Sequence, residues 1–260
     1  MTSSPVKPQR VLILGGTAEA NRLAAALAND PRFDAILSYA GRTENPTRPP
    51  IAWRLGGFGG IDGLVNYLSA ENIARVVDAT HPFAAQMSAH AIAACTEAGV
   101  PLLALERQPW QRAPDDRWIE VDNLSAAAEA LGAAPRRVFL GIGRQQLEIF
   151  AAHPQHCYLV RLVDPPRAAL PLPHAEVIVA RGPFKAADDR AMLANFRAEF
   201  VVAKNAGGDA ASAKIGAARD LALPVVMVRR PFIPARETVG TVAEVLRWLG
   251  HDEPPAERGV

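Results

Sequence analysis

Short unbroken runs of apolar residues recur along this chain, separated by longer alanine-rich stretches with the polar residues spaced as on one face of a helix. The runs Val11–Leu14, Ala35–Tyr39, Val76–Asp78, Leu102–Leu105, Val138–Leu140, Tyr158–Leu162, Val177–Ala180, Phe200–Ala203 and Val225–Val228 have strand length. A strand with one wet face alternates apolar and polar residues. These runs are too apolar for that, so both their faces are covered. Strands of this kind alternating with helices predict an α/β fold with mainly parallel sheets.

The pattern also repeats. "VVDATHPFAAQMSAHAIAACTEAGVPLLALERQPW" starts at Val76, and "VVAKNAGGDAASAKIGAARDLALPVVMVRRPF" starts at Val201. Both run strand, polar turn, alanine-rich helix, X-Pro, strand, basic residue, proline, aromatic. "VDNLSAAAEAL" follows the first and "VGTVAEVLRWL" the second, and "VLILGGTAEANRLA" aligns with "VFLGIGRQQLEIF", all at an offset near 125 residues. Two α/β domains of similar topology are expected, spanning 1–134 and 135–260. Ligands of such sheets sit beyond the carboxyl ends of the strands, which places the expected site in a cleft between the domains.

Composition narrows the partners. The 260 residues are 49% hydrophobic with a formal net charge of +1, so no global field draws in nucleic acid or an anionic membrane. No apolar run nears the roughly 20 residues of a membrane helix, and "MTSSPVKPQR" lacks a signal-peptide core. The two cysteines, Cys95 and Cys157, have neither metal-ligand spacing nor the number for a disulfide framework. A cytoplasmic protein compatible with a monomer is expected. His153 and His156 have H-x-x-H spacing but flank Pro154, so no metal site is expected. No Gly-x-Ser-x-Gly elbow, Walker loop or Cys/His cluster is present, which disfavours acyl transfer, ATP hydrolysis and zinc hydrolysis.

The residues just past each strand carry the chemistry. In the second half they are cationic throughout: Arg144, Arg161 with Arg167, Arg181 with Lys185, Lys204, and Arg229 with Arg230. Such an edge would hold a ligand with several carboxylates or phosphates through charge-assisted hydrogen bonds. In the first half, Gly15–Gly16–Thr17 opens a strand-to-helix turn that is either a nucleotide site or only a tight connection. It reads G-G-T-A-E-A in place of G-x-G-x-x-G, and Glu19 would repel a pyrophosphate if it pointed inward. Arg42 follows the second strand, where a cation meets the 2′-phosphate of NADP, or is a solvated turn arginine. "GGFGG" at Gly56–Gly60 either lets backbone approach a ligand closely or links tightly into the next helix.

"ILGGTAEA", "AGRT", "GGFGG", "DATHPFA", the R-x-P-W after the next strand and "KNAGG" occur in this order across almost the whole chain. The set resembles the precorrin-6A reductase family of cobalamin (vitamin B12) biosynthesis. "DATHPFA" together with "GGFGG" is far more specific than any one glycine motif. The resemblance implies two Rossmann-like domains that bind NADPH and a polycarboxylate tetrapyrrole in the cleft. It implies reduction of one double bond of precorrin-6A to give precorrin-6B, or of the cobalt form in the anaerobic branch. Gly15, Gly16, Thr17, Arg42, Thr43, Gly57, Phe58, Gly59 and Thr80 are then expected on the NADPH side. Arg144, Arg161, Arg181, Lys204, Asn205, Gly207 and Gly208 are expected on the substrate side. His81 and Lys204 are candidate proton donors, with water as competitor. The alternatives from other classes are a non-redox tetrapyrrole enzyme and a non-catalytic binder of anionic metabolites.

Overall fold

The first apolar run builds the centre of a sheet. In this computed structural model, which describes residues 7–40 and 48–250, Gln9–Leu14 form β1 with Val11, Leu12 and Ile13 fully buried. Side chains alternate across a strand. Val11 and Ile13 therefore join one core with Leu23, Leu27, Leu37, Val77, Val245 and Leu249. Leu12 and Leu14 join the other, with Leu64, Leu68, Val76, Ala91 and Cys95. Both faces are covered, as the unbroken apolar runs require.

The strands are β1, β2 (Phe33–Tyr39), β3 (Ala52–Leu55), β4 (Arg75–Asp78), β5 (Leu102–Leu105), β6 (Arg117–Val121), β7 (Arg137–Gly141), β8 (Cys157–Leu162), β9 (Ala175–Val179), β10 (Phe200–Lys204), β11 (Pro224–Val228) and β12 (Thr238–Val239). The helices are α1 (Ala18–Leu27), α2 (Ile61–Ala70), α3 (Ala85–Ala98), α4 (Leu124–Glu129), α5 (Ala186–Phe196), α6 (Ala213–Asp220) and α7 (Val242–Gly250). Among the described residues all pairings are parallel, in two six-stranded sheets. Sheet A runs β12-β5-β4-β1-β2-β3 and sheet B runs β6-β11-β10-β7-β8-β9. Shifted by one repeat, the two orders are identical, and each is the 6-5-4-1-2-3 order of a doubly wound dinucleotide fold.

The domain boundary differs from the expected 134/135. The chain forms one unit from residues 1–107 and 232–260 and a second from 108–231. After β5 the chain leaves the first unit and contributes β6 and α4 to the second. After β11 it returns to contribute β12 and α7 to the first. The last strand and helix of each repeat are thus exchanged. Three strands were invisible as apolar runs: β3 and β6 are edge strands with exposed positions, and β12 has two residues.

Local signals mark the helix termini. Asn123 caps α4 through the Ala126 N–H. Thr241 and Glu244 form a reciprocal capping box at the start of α7. Gly99, with φ +65°, closes α3 in the left-handed conformation. Among the described residues no helix is long and apolar enough to cross a membrane.

Candidate functional site

In the first unit, β1 lies between β2 and β4, where the connections diverge to opposite sides and a crevice opens at the carboxyl ends. The Gly15–Thr17 turn lies at this point. Gly15 is favoured by packing: a Cβ there would stand 2.7 Å from the end of the Leu37 side chain and 3.3 Å from the Ser38 carbonyl. Gly16 is required by conformation, at φ +120°, and a Cβ there would meet nothing within 4 Å. The turn is tight against the sheet and open on its outer side, a shape that fits a nucleotide backbone.

The Thr17 hydroxyl is engaged within the protein. Its Oγ1 accepts the Ala20 N–H as the cap of α1 and donates to the Ala79 carbonyl at 2.8 Å, tying the turn after β1 to the turn after β4. With that proton committed, what faces outward is the donor end of α1. Glu19 is held by two arginines. Its Oε1 accepts from Arg22 and its Oε2 from Arg107, both at 2.9 Å, with the carboxylate largely covered. The negative charge that opposed a pyrophosphate reading is balanced by cations.

The "GGFGG" loop follows β3. Gly56, Gly59 and Gly60 have φ of +106°, +83° and +94°, and a Cβ at Gly56, Gly57, Gly59 or Gly60 would meet nothing within 4 Å. Arg54 holds the loop from below, donating to the Gly56 and Gly57 carbonyls at 3.0 Å and to Ser38 Oγ at 2.8 Å. Its guanidinium lies 4.1 Å from the Phe58 ring centre, and Phe58 meets Tyr67 edge-on. Phe58 thus packs on the protein rather than projecting from the loop. Arg54 was missed in the sequence because it sits inside an unrecognised edge strand. Arg42 and Thr43 lie outside the described residues.

"DATHPFA" forms the turn after β4. Asp78 is buried, and its Oδ1 accepts both the backbone N–H and the hydroxyl of Thr80. Its Oδ2 lies 3.8 Å from Nε of Arg236, which also donates to Glu106 at 2.7 Å. Arg236 arrives from the returning segment, so no local pattern marks it. Thr80, like Thr17, spends its proton inside the protein. His81 Nδ1 accepts the Phe83 N–H at 3.2 Å, which places the ring proton on Nε2. Burial and the charge of Asp78 push the Cys95 thiol behind this turn up to about 12.

In the second unit the cations of the strand ends divide. Arg161 lies within β8 rather than past it. It forms a two-pronged pair with buried Asp189 and lies 3.8 Å from the Phe184 ring centre. Arg229 pairs with Glu120 and Asp122, and Arg230 donates to the Asn205 and Ala206 carbonyls. Arg144 is exposed at the start of a 3-10 helix, Arg144–Ala152, where the repeat predicted an α-helix. Arg181 is half exposed and 3.6 Å from Asp164. Lys204 ends β10, and its Nζ donates to Gln146 Oε1.

"KNAGG" and R-x-P-W prove to be partners. Asn205 accepts the Trp110 N–H through Oδ1 at 2.7 Å and donates through Nδ2 to the Trp110 carbonyl at 3.0 Å. The Trp110 indole N–H donates to the Gly208 carbonyl. Gly207, at φ +69°, passes so close that a Cβ would stand 2.0 Å from the Gln108 carbonyl oxygen. Asn205, Gly207 and Gly208 therefore fix the point where the chain enters the second unit.

The profile of the family described as "Precorrin-6x reductase CbiJ/CobK" matches residues 10–250. The chain is 54% identical to the precorrin-6A reductase of Rhodobacter capsulatus over 96% of its own length and 99% of the relative's. It is 49% identical to that of Sinorhizobium sp, over 98% and 97%. A solved structure titled "CobK precorrin-6A reductase" superposes with TM-score 0.90 at 54% identity, over 97% of this chain and all of that one.

Proposed function

Because the chain belongs to the precorrin-6x reductase family, we propose that it reduces one double bond of precorrin-6A, giving precorrin-6B, with NADPH as the hydride donor. The observation that carries the cofactor reading is the rim of sheet A, where a tight, outward-open glycine turn at the β1/β4 switch point has its one awkward carboxylate, Glu19, held by Arg22 and Arg107. When bound there, NADPH supplies the hydride. The chain's own residues bind and orient. Gly15 and Gly16 let backbone approach the pyrophosphate, and the first turn of α1 presents N–H donors. Thr17 and Thr80 hold the two turns in shape, and the glycines of "GGFGG" leave room beside the adenosine half.

In the second unit, Arg144, Arg181 and Lys204 are the cations we assign to the carboxylate arms of the macrocycle. Arg161, committed to Asp189, contributes to the scaffold under them. His81, with its proton on Nε2, and Lys204 are the two side chains proposed to deliver the proton that completes the reduction.

The metal-free substrate is favoured by kinship. Relatives named precorrin-6A reductase are 41–54% identical to this chain, whereas those named cobalt-precorrin-6A reductase are 26–28% identical. The test is anaerobic turnover. NADPH oxidation is expected together with a change in the precorrin-6A chromophore. Turnover of the cobalt form alone would move the protein to the other branch, and no NADPH oxidation with either substrate would end the reductase reading.

A further inference from the structure

The carboxyl ends of β2 and β3 carry a charge arrangement that the glycine turn does not explain. In dinucleotide folds the end of β2 meets the adenosine ribose, where an acidic residue selects NAD and an arginine accommodates the 2′-phosphate of NADP. Here β2 ends in Ser38 and Tyr39 with no carboxylate. Arg54 stands directly opposite Ser38 in the β2–β3 register. Ser38 links the two features: its carbonyl accepts the Gly15 N–H at 2.8 Å, and its Oγ accepts from Arg54 at 2.8 Å.

The guanidinium is held in one orientation by three hydrogen bonds, to Ser38 Oγ and the Gly56 and Gly57 carbonyls, and by the Phe58 and Tyr67 rings at 4.1 and 5.2 Å. A guanidinium has five N–H donors. Three are used, so two remain without a protein acceptor among the described residues, and no carboxylate pairs with Arg54 there. A fixed cation with spare donors and no carboxylate partner among the described residues suits a phosphate monoester better than a ribose hydroxyl.

We infer that Arg54 is a cofactor-binding residue that recognises the 2′-phosphate of NADPH and sets its preference over NADH. The inference rests on the NADPH reading above and adds a residue from β3 to it. Arg54 is a binding residue; no step of the reduction passes through it.

The probes are fragments that carry no nicotinamide: 2′,5′-ADP, which holds the distinguishing phosphate, and 5′-AMP, which lacks it. Their affinities are measured by calorimetry for the wild-type chain, Arg54→Met, Arg54→Lys and Ser38→Ala. Arg54→Met is expected to weaken 2′,5′-ADP by about tenfold or more while 5′-AMP stays within about twofold. Arg54→Lys keeps the charge but loses the fork, and should recover part of the loss. Ser38→Ala, which frees the guanidinium on one side, should weaken 2′,5′-ADP in the same direction by less. Equal loss of both nucleotides would mean that Arg54 only shapes the "GGFGG" loop, and would overturn the inference. So would unchanged 2′,5′-ADP affinity. Wild-type turnover with NADPH alongside an Arg54→Met chain of unaltered selectivity would sink this assignment and leave the function standing. Wild-type turnover with NADH alone would remove the cofactor reading itself.

Discussion

Arginine serves two purposes in this chain, and only the neighbours of each guanidinium decide which. A cation follows every strand of the second half in the sequence, which suggested one continuous anion-binding edge. The structure gives Arg161 to Asp189, Arg229 to Glu120 and Asp122, and Arg230 to backbone carbonyls. The Arg161 and Asp189 side chains are 8% and 4% exposed, so the pair is nearly dry. Breaking such a pair leaves an uncompensated buried charge, at a cost of about 3–5 kcal/mol. Arg161→Met should therefore lower unfolding stability in urea by that amount, and adding Asp189→Leu should recover most of it. An Arg161→Met chain of normal stability with poor substrate affinity would return Arg161 to the binding edge. Glu19 shows the same principle with the opposite sign. From sequence its direction was open, because Arg107, which donates to its carboxylate and balances its charge, lies 88 residues away.

At the scale of elements, the apolar runs were readable because a strand buried on both faces needs little besides apolar residues. The glycine turns were readable in place but not in purpose. Gly207 and Gly216 separate the two uses of a glycine. Gly207 is held at φ +69° with the Gln108 carbonyl and the Arg230 guanidinium against it, whereas Gly216 lies in helix α6 with open space around it. Gly207→Ala should destabilise by more than about 1 kcal/mol, since both the conformation and the packing exclude a Cβ. Gly216→Ala should stabilise by about 0.5–1 kcal/mol, the helix-propensity gain of alanine over glycine. Equilibrium unfolding of both variants checks this, and a harmless Gly207→Ala would remove the "KNAGG" turn as the anchor of Trp110. The sequence presented "KNAGG" and R-x-P-W as separate signals about 95 residues apart. Hydrogen bonds between Asn205 and Trp110 make them one joint.

At the scale of the whole molecule, the governing feature is the exchange of the last strand and helix between repeats. It predicts where the chain can be divided. A fragment spanning 108–231 holds all six strands of sheet B and should unfold in one cooperative transition. A fragment spanning 135–260 lacks β6, exposes the edge of β11, and carries β12 and α7 without the core that buries Val245 and Leu249. It should bind a hydrophobic dye and unfold without a sharp midpoint. Circular dichroism during urea unfolding compares them, and the reverse result would contradict the exchange.

The sequence alone determined that the chain is two rounds of one α/β pattern, that its strands are parallel with the central ones buried, and which family motifs it carries; the apolar run of β9 lies at a sheet edge with Val177 and Val179 exposed. These properties are written locally: in runs of a few apolar residues, in glycines, and in caps. Tertiary structure alone decided which sheet each edge strand completes. β6 and β12 hold the same place in the two repeats, at the outer edge beside β11 and β5, and no local pattern names the sheet that either completes. Only packing between residues more than a hundred positions apart chooses. Other contacts between distant residues bring Arg236 to Asp78 and spend the hydroxyl of Thr17 on Ala79, and so decide which polar groups at the rim are left for a ligand.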